Sequence, residues 1–166
     1  MAHEEIIVYT RIDSPVGKLL LTGHRDGLQR LNFDRGKKAE RLEDNWKESV
    51  EAFKEVIRQL RAYFAGELKK FAVPLKMSGT EFQMSVWRGL LEIPYGETIS
   101  YGELAKRLGN PNAMRAVGLA NGSNPIAIIV PCHRVIGSNG KLTGFGGGLE
   151  NKEKLLSLEK GQLCLL

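Results

Sequence analysis

A cysteine followed directly by a histidine is the feature of this sequence best suited to chemistry. Cys132 lies between Pro131 and His133, and Arg134 comes next. A free thiol has a pKa of about 8.5, and cationic neighbours or an imidazole partner lower it and favour the nucleophilic thiolate. His133 could accept the thiol proton directly or through a water molecule, while an acid orients its far nitrogen. Glu159, in the last predicted helix, is our candidate for that acid.

Cys132 also has an inert interpretation. It follows the apolar run 126–130, and a lone cysteine in such a place is usually a small buried hydrophobe. In a strand, moreover, adjacent Cys and His side chains point to opposite faces. Pro131 before the cysteine and the glycine-rich segment after it favour a turn, and in a turn that objection does not apply.

Metal and nucleotide sites have little support in the sequence. His3, His24 and His133 are scattered, and no second cysteine stands at zinc-finger spacing. The glycines within 144–148 lack the Gly-Lys-Ser/Thr ending of a phosphate-binding loop, and Leu149 stands where a dinucleotide motif needs glycine. We therefore predict no metal site and no cofactor.

Composition and charge are those of a basic globular protein. The 166 residues include 24 Lys plus Arg against 19 Asp plus Glu, a net charge of +5 that suits a polyanionic partner. Residues 98–146 include five basic residues and a single acid, Glu103. The two cysteines cannot build a disulfide framework, and no leader or membrane-spanning run is evident. We expect a cytoplasmic protein with no membrane partner, in which Cys164 is a bystander.

The first part of the chain predicts a small sheet with one helix packed on it. Runs of β-branched and apolar residues between turn signals predict three antiparallel strands, over 6–12, 18–22 and 28–33. Apolar residues then recur at steps of four and three from Trp46 to Phe64, the spacing of an amphipathic helix of about five turns. An extended connector containing Pro74 marks a boundary, which gives an N-terminal domain over 1–75 whose role is to support the rest.

The remaining residues, 76–166, predict a mostly helical domain. Thr80 and Ser100 each open a capping box. The predicted elements are helices over 80–92, 100–109, 110–121 and 150–159, with a small hairpin turning at Asn139-Gly140. The second and third helices flank a tight Gly-Asn-Pro turn and resemble a helix-turn-helix. The whole is an α+β fold whose C-terminal domain is winged-helix-turn-helix-like.

The segment Ile129-Val130-Pro131-Cys132-His133-Arg134-Val135 resembles the active-site signature of the O6-alkylguanine-DNA alkyltransferases, also called methylated-DNA–protein-cysteine methyltransferases. The resemblance runs in order from about Phe82 to Glu159. Its further motifs are Ser100-Tyr101-Gly102-Glu103-Leu104-Ala105, Ala113-Met114-Arg115-Ala116-Val117-Gly118, Asn121-Gly122-Ser123-Asn124-Pro125 and Thr143-Gly144-Phe145-Gly146-Gly147-Gly148. The N-terminal part is more loosely similar to bacterial members, in Ser14-Pro15-Val16-Gly17 and Ala62-Tyr63-Phe64-Ala65-Gly66.

The resemblance implies a partner, which is double-stranded DNA containing O6-alkylguanine; the sequence leaves open whether O4-alkylthymine is also a substrate. O6 is out of reach inside the base stack, so the nucleotide must be flipped out. Arg115 matches the arginine that fills the gap in the family. Ala113, Ala116 and Gly118 are small residues that would let the recognition helix approach the minor groove closely. We expect the protein to act as a monomer.

The resemblance also implies the chemistry. Cys132, as a thiolate, takes the alkyl group, while His133 activates it through a water molecule and is backed by Glu159. Because a thioether has no good leaving group, the protein is consumed in a single turnover.

Further roles follow from the same resemblance. Tyr101 matches the tyrosine whose hydroxyl aids the leaving guanine, and Asn124 matches the asparagine that ties the recognition helix to the active-site turn. Val135 and Gly146 would line the substrate pocket together with Tyr101. Gly146 replaces a serine of some members, and the N-terminal zinc site of some members cannot be built from two cysteines.

Two other kinds of function compete with this one. A cysteine hydrolase using Cys132 and His133 would need an oxyanion hole and would turn over many times, but the helix-turn-helix would have no role in it. A winged-helix regulator or a non-catalytic alkyltransferase-like protein would bind DNA without repairing it. Alkyltransferase-like proteins lack the nucleophilic cysteine, which is present here.

Overall fold

The structure is a computed structural model that describes residues 6–34 and 42–162. Its strands are β1 (Val8–Ile12), β2 (Leu19–His24), β3 (Gly27–Phe33), β4 (Lys47–Glu48), β5 (Ile99–Ser100) and β6 (Val135–Ile136). Its α-helices are α1 (Lys54–Phe64), α2 (Glu81–Leu91), α3 (Tyr101–Arg107), α4 (Met114–Gly122) and α5 (Leu149–Glu159). Short 3-10 turns cover Glu51–Phe53 and Cys132–Arg134. In these described ranges, no helix is long and apolar enough to cross a membrane.

The N-terminal sheet has the strand order β3-β2-β1-β4. Strands β1, β2 and β3 are antiparallel neighbours, which confirms the predicted three-stranded arrangement and the α+β class. The short strand β4 was not predicted. It extends the sheet in parallel along the free edge of β1, where the Lys47 amide donates to the Ile7 carbonyl at 3.0 Å. Two exposed residues are too few to give a strand signal in the sequence.

The predicted helix from Trp46 to Phe64 is wrong over about its first two turns. A 3-10 turn precedes α1, which begins only at Lys54. The backbone before that turn is held by the edge of β1 instead, since the Ser49 amide donates to the Tyr9 carbonyl at 2.9 Å. From Lys54 onward the apolar stripe is buried as predicted.

The first C-terminal helices begin at the predicted caps. The Thr80 hydroxyl accepts from the Gln83 amide at 3.1 Å, and the Gln83 side chain accepts from the Thr80 amide at 3.0 Å, which completes the capping box of α2. At α3 only half of the box forms. The Ser100 hydroxyl accepts from the Glu103 amide at 3.0 Å, but the Glu103 carboxylate pairs with Arg107 at 3.4 Å.

Helices α3 and α4 form the helix-turn-helix-like pair. Helix α4 begins at Met114, later than the predicted Asn110, because the Asn110 carbonyl accepts the Ala113 amide in a separate turn at 3.0 Å. Helix α2 supports α4 from behind, and the Trp87 indole donates to the Ala120 carbonyl at 2.9 Å.

The predicted hairpin at Asn139-Gly140 is only a turn. The Gly140 amide donates to the Gly137 carbonyl at 2.9 Å and the Gly137 amide donates to the Lys141 carbonyl at 3.0 Å, but no return strand follows in this described segment. Strand β6 pairs in parallel with β5 instead, in the register Ile99↔Val135. This pairing places the start of α3, with Tyr101, beside the strand that leaves the Cys132–Arg134 turn.

Strand β3 directly supports the segment that precedes Cys132. The Leu31 amide donates to the Pro125 carbonyl at 2.9 Å, and the Ala127 amide donates to the Leu31 carbonyl at 3.0 Å. Buried residues of the sheet, of α1 and of the C-terminal helices belong to one hydrophobic cluster. The position of the segment that precedes Cys132 therefore depends on both parts of the chain.

Candidate active site

Two three-residue turns before Cys132 fix its position. In the first, the Ile129 amide donates to the Ala127 carbonyl at 2.8 Å, and Ile128 between them has a φ of 71°. In the second, the Cys132 amide donates to the Val130 carbonyl at 2.8 Å, around a Pro131 with φ −82° and ψ 64°. A β-branched residue at positive φ is strained and persists only where its surroundings fix it. Ile128 is 1% exposed, so close packing supplies that restraint.

Two asparagines attach this turn to the end of α4. The Asn124 side chain donates to the Val130 carbonyl at 2.8 Å and accepts from the Ile126 amide at 3.1 Å. The Asn121 side chain reaches the Cys132 carbonyl at 3.4 Å. Asn124 thus joins the segment after α4 to the turn before Cys132. Asn121 was not predicted, although its position three residues before Asn124 puts both at the same helix end.

Cys132 begins the 3-10 turn and is 6% exposed. Burial raises the pKa of its thiol, while a hydrogen bond from Asn124 and the positive charge of Lys152 oppose that rise. The resting thiol therefore keeps its proton at neutral pH, and a nearby base must remove it before it can react. Cys164 lies outside the described residues.

His133 and Glu159 form a buried pair behind Cys132. The distance from His133 Nε2 to Glu159 Oε2 is 2.7 Å. Burial lowers the pKa of His133 although Glu159 acts against it, so the resting imidazole is neutral. Because its Nε2 faces a carboxylate, Nε2 carries the hydrogen and Nδ1 is left as the acceptor. Among the described residues, Nδ1 is buried and has no hydrogen-bond partner.

Besides His133, two residues donate to the Glu159 carboxylate, Arg134 and Tyr63. Arg134 binds it twice, through Nε at 2.7 Å and Nη2 at 3.1 Å, and also donates to the Ile93 carbonyl at 2.7 Å. The Tyr63 hydroxyl donates to Glu159 at 2.5 Å. Burial alone would raise the pKa of Glu159, but His133 and Arg134 outweigh it and lower the pKa to about 2. Glu159 is therefore a permanent carboxylate at neutral pH.

Lys152 is a functional candidate that sequence reasoning missed. Its side chain is fully buried, and its Nζ donates to the Val135 carbonyl at 2.7 Å and to the Thr143 carbonyl at 2.8 Å. Burial lowers the pKa of Lys152, and the nearby Cys132 acts in the opposite direction. The signal was available, because Lys152 precedes Glu159 by seven residues and so shares its face of α5.

A cleft of about 180 Å³ opens onto Cys132. Its walls come from α4 and its following turn, from the glycine-rich loop and from β3, through Asn121, Gly122, Asn124, Ala127, Gly144, Phe145, Gly146, Gly147, Leu31, Asn32 and Phe33. The contribution of β3 was not predicted. Phe33 meets Phe145 edge-on at 5.4 Å between ring centroids, and a Cβ on Gly147 would come within 2.7 Å of the Phe33 ring. Glycine at 147 is therefore required by this close approach.

The predicted pocket residues occupy different places. Gly146 lines the cleft itself. The Tyr101 hydroxyl, at the start of α3, is 3.4 Å from the Thr143 hydroxyl on the glycine-rich loop. Val135 is buried and turns its carbonyl towards Lys152.

The predicted DNA-binding residues lie on α4 or, in the case of Ala113, directly before it. Arg115 and Ala116 are exposed, while Ala113 and Gly118 are half-buried. A Cβ on Gly118 would lie 3.8 Å from the Tyr101 ring, so α4 and Tyr101 are close neighbours. Leu119, four residues after Arg115, is 74% exposed and adds an apolar side chain to the same face.

The geometry combines a buried cysteine, followed in sequence by a histidine that is hydrogen-bonded to a carboxylate, with a helix-turn-helix-like pair of helices. Residues 7–77 match the family model described as 6-O-methylguanine DNA methyltransferase, ribonuclease-like domain, and residues 81–161 match the corresponding DNA binding domain. The chain belongs to this family, which confirms the family predicted from the sequence.

Relatives and solved structures agree with this assignment. The methylated-DNA–protein-cysteine methyltransferase of Methanosarcina acetivorans is 62% identical over 91% of this chain and 97% of its own. The Mycobacterium tuberculosis protein of the same name is 55% identical over 95% of this chain and 94% of its own. A crystal structure of Mycobacterium tuberculosis OGT in complex with DNA has a TM-score of 0.87 at 55% identity, covering 93% of this chain and 94% of that one.

The close approach of Gly147 to Phe33 predicts a selective effect of alanine in the glycine-rich loop. Gly147→Ala should lower the free energy of unfolding by about 1–3 kcal/mol, because its methyl group overpacks the ring. Gly146→Ala is the matched control and should have little effect, since a Cβ there meets nothing within 4 Å. Urea unfolding measures both, and equal losses would contradict the packing argument.

The low pKa of Glu159 predicts a pH dependence of stability. Its pKa drops from 4.5 to about 2 on folding, so the unfolded chain binds more protons between these values. The stabilisation by Glu159 is therefore complete above about pH 4.5 and is lost as the pH falls towards 2. The stability difference between wild type and Glu159→Gln should shrink over that range in urea unfolding. An equal stability difference at about pH 5 and about pH 3 would contradict this assignment.

Proposed function

We propose that this protein repairs O6-alkylguanine in double-stranded DNA by transferring the alkyl group once, and irreversibly, to its own Cys132. The observation that carries the proposal is the buried Cys132 beside a neutral His133, which is hydrogen-bonded to the permanently ionised Glu159. Relatives that are more than half identical over nearly the whole chain carry the name methylated-DNA–protein-cysteine methyltransferase.

The reaction begins with a proton transfer. His133 Nδ1 accepts the Cys132 proton, directly or through a water molecule, and the imidazolium that forms keeps its Nε2 hydrogen on Glu159. Because the pKa of Glu159 is about 2, the carboxylate remains charged and stabilises that cation. The positive charge of Lys152 favours the new thiolate. Deprotonation is thus coupled to two fixed charges that the fold has already placed.

Alkyl transfer then follows as a displacement at carbon. A bond forms between the Cys132 sulfur and the alkyl carbon while the bond from that carbon to O6 breaks, and the electron pair goes to the guanine. Tyr101 donates a hydrogen bond that stabilises the leaving base. The thioether product has no good leaving group, so the site cannot be regenerated and the stoichiometry is one alkyl group per protein.

DNA recognition is assigned to α4. Arg115 is exposed on this helix, where it can enter the stack and replace a flipped nucleotide, and Ala113, Ala116 and Gly118 leave the backbone accessible to the minor groove. Gly146 lines the cleft that would take the extruded base, and the backbone of the buried Val135 is assigned as a further contact of that base. O4-alkylthymine would fit the same scheme. We expect the protein to act as a monomer in the cytoplasm.

The first test is the intact mass of the protein after mixing with excess duplex that contains one O6-methylguanine. We expect a gain of one methyl group, located on Cys132, that stops at one equivalent. Cys132→Ser should gain no mass yet still bind the duplex. An unchanged mass with the lesion still bound would indicate a damage-binding module, and repeated repair with unchanged mass would indicate a true catalyst such as a hydrolase.

The role assigned to Arg115 predicts a difference between two substrates. Arg115→Ala should slow transfer from duplex O6-methylguanine by about tenfold or more, the equivalent of about 1.4 kcal/mol, because base flipping is impaired. Transfer from the free base O6-benzylguanine should change little. Single-turnover kinetics measure both rates, with Arg88→Ala on α2 as the control for a lost exposed charge. Equal losses on the two substrates would contradict the role in flipping.

A further inference from the structure

The Tyr63 hydroxyl connects the N-terminal part of the chain to the active site. Tyr63 lies in the last turn of α1, 96 residues before Glu159 in sequence, and donates to Glu159 Oε2 at 2.5 Å. The same oxygen faces His133 Nε2 at 2.7 Å and accepts from Arg134 Nη2 at 3.1 Å. We propose that Tyr63 is a positioning residue for alkyl transfer, holding Glu159 so that His133 stays oriented and unprotonated. This inference rests on the function proposed above.

The hydroxyl of Tyr63 is not needed for packing. Its ring is fully buried and contacts the rings of Phe64, Phe71 and Tyr95 at 5.4, 5.3 and 6.2 Å between centroids. A phenylalanine would fill the same volume, whereas a buried hydroxyl costs free energy unless it is hydrogen-bonded. Here its partner is the carboxylate that backs His133. The ring of Tyr63 therefore serves the core, whereas its hydroxyl serves the carboxylate that is hydrogen-bonded to His133.

Tyr63 can act only as a donor in this bond. Burial, and next the charge of Glu159, raise the pKa of its hydroxyl well above the usual range, so the hydroxyl retains its proton. With Tyr63 on Oε2 and Arg134 on both oxygens, the carboxylate is held from two sides and cannot rotate away from His133. The imidazole is consequently fixed through its Nε2 hydrogen bond.

The same donors reduce the extent to which Glu159 stabilises the protonated form of His133. A carboxylate with no other partner favours the imidazolium, and a resting imidazolium could not accept the Cys132 proton. Each additional donor on Oε2 withdraws charge from the oxygen that faces His133. The charged and titratable groups around His133 are Glu159 and Lys152 on α5, Cys132 and Arg134 on its own turn, Tyr63 on α1 and Tyr95 before β5.

The test compares Tyr63→Phe with the matched control Tyr95→Phe. Tyr95 packs against Tyr63 and Arg134, but its hydroxyl makes no hydrogen bond to Glu159 in the described structure. The pKa of His133 is measured by NMR on protein labelled in its three histidines, His3, His24 and His133. The pH dependence of single-turnover transfer from duplex O6-methylguanine gives the second readout, and urea unfolding reports stability separately.

We expect Tyr63→Phe to raise the pKa of His133 by about half a unit. The acid limb of the pH–rate profile should move to higher pH by the same half unit. On that limb the rate should fall about threefold relative to wild type, which corresponds to the same half unit. Tyr95→Phe should shift neither. An unchanged pKa of His133, or a loss of rate that is equal at every pH, would overturn the proposal and leave Tyr63 a structural residue.

If Tyr63→Phe does not fold, 3-fluorotyrosine at position 63 replaces it as the test. Fluorine makes the hydroxyl a stronger donor at nearly constant volume, so the pKa of His133 should fall, and no change or a rise would overturn the proposal. The two proposals fail separately. A wild-type protein that transfers no alkyl group refutes the proposed function, while the NMR titration still reports the effect of Tyr63. Normal transfer with identical titrations in all variants refutes only the inference.

Discussion

The buried carboxylate of Glu159 is the group on which the rest of the site depends. An uncompensated charge in a protein interior costs several kcal/mol, so a buried carboxylate persists only when donors satisfy both of its oxygens. Here the donors come from the active-site turn and from α1, and the carboxylate itself comes from α5. Satisfying one charge therefore brings together three segments that are far apart in the chain. The orientation of His133 follows from that arrangement.

The site combines a thiol and an imidazole that are both uncharged at rest. Burial is the first cause in each case, because it raises the pKa of Cys132 and lowers that of His133. The charges that would stabilise the ionised pair, Glu159 and Lys152, are already in place on one face of α5. Desolvation is thus the main reason that both groups are uncharged at rest, and the charges that oppose it belong to residues already in place.

The sequence predicts the parts of this protein that local signals determine. The turn at Cys132 follows from Pro131, α2 from its capping box, and the Glu159 partner from its place in the last helix. What could not be predicted depends on contacts between distant residues. Tyr63 has the spacing of any core aromatic, β4 forms only because the edge of β1 is free to pair, and β6 pairs with β5 where a local hairpin was expected. Lys152 could have been predicted but was missed, because its spacing of seven residues from Glu159 already places both on one face of the last helix.

The packing of Phe33 against Gly147 bears on how such a protein can change over evolution. Two family models divide the chain between residues 77 and 81, as though the halves were interchangeable modules. The Phe33–Gly147 approach and the Tyr63–Glu159 hydrogen bond both cross that division. Exchange of one half between distant relatives would therefore separate pairs that have to match. The two halves are expected to be inherited together, and a change on one side is tolerated only with a compensating change on the other.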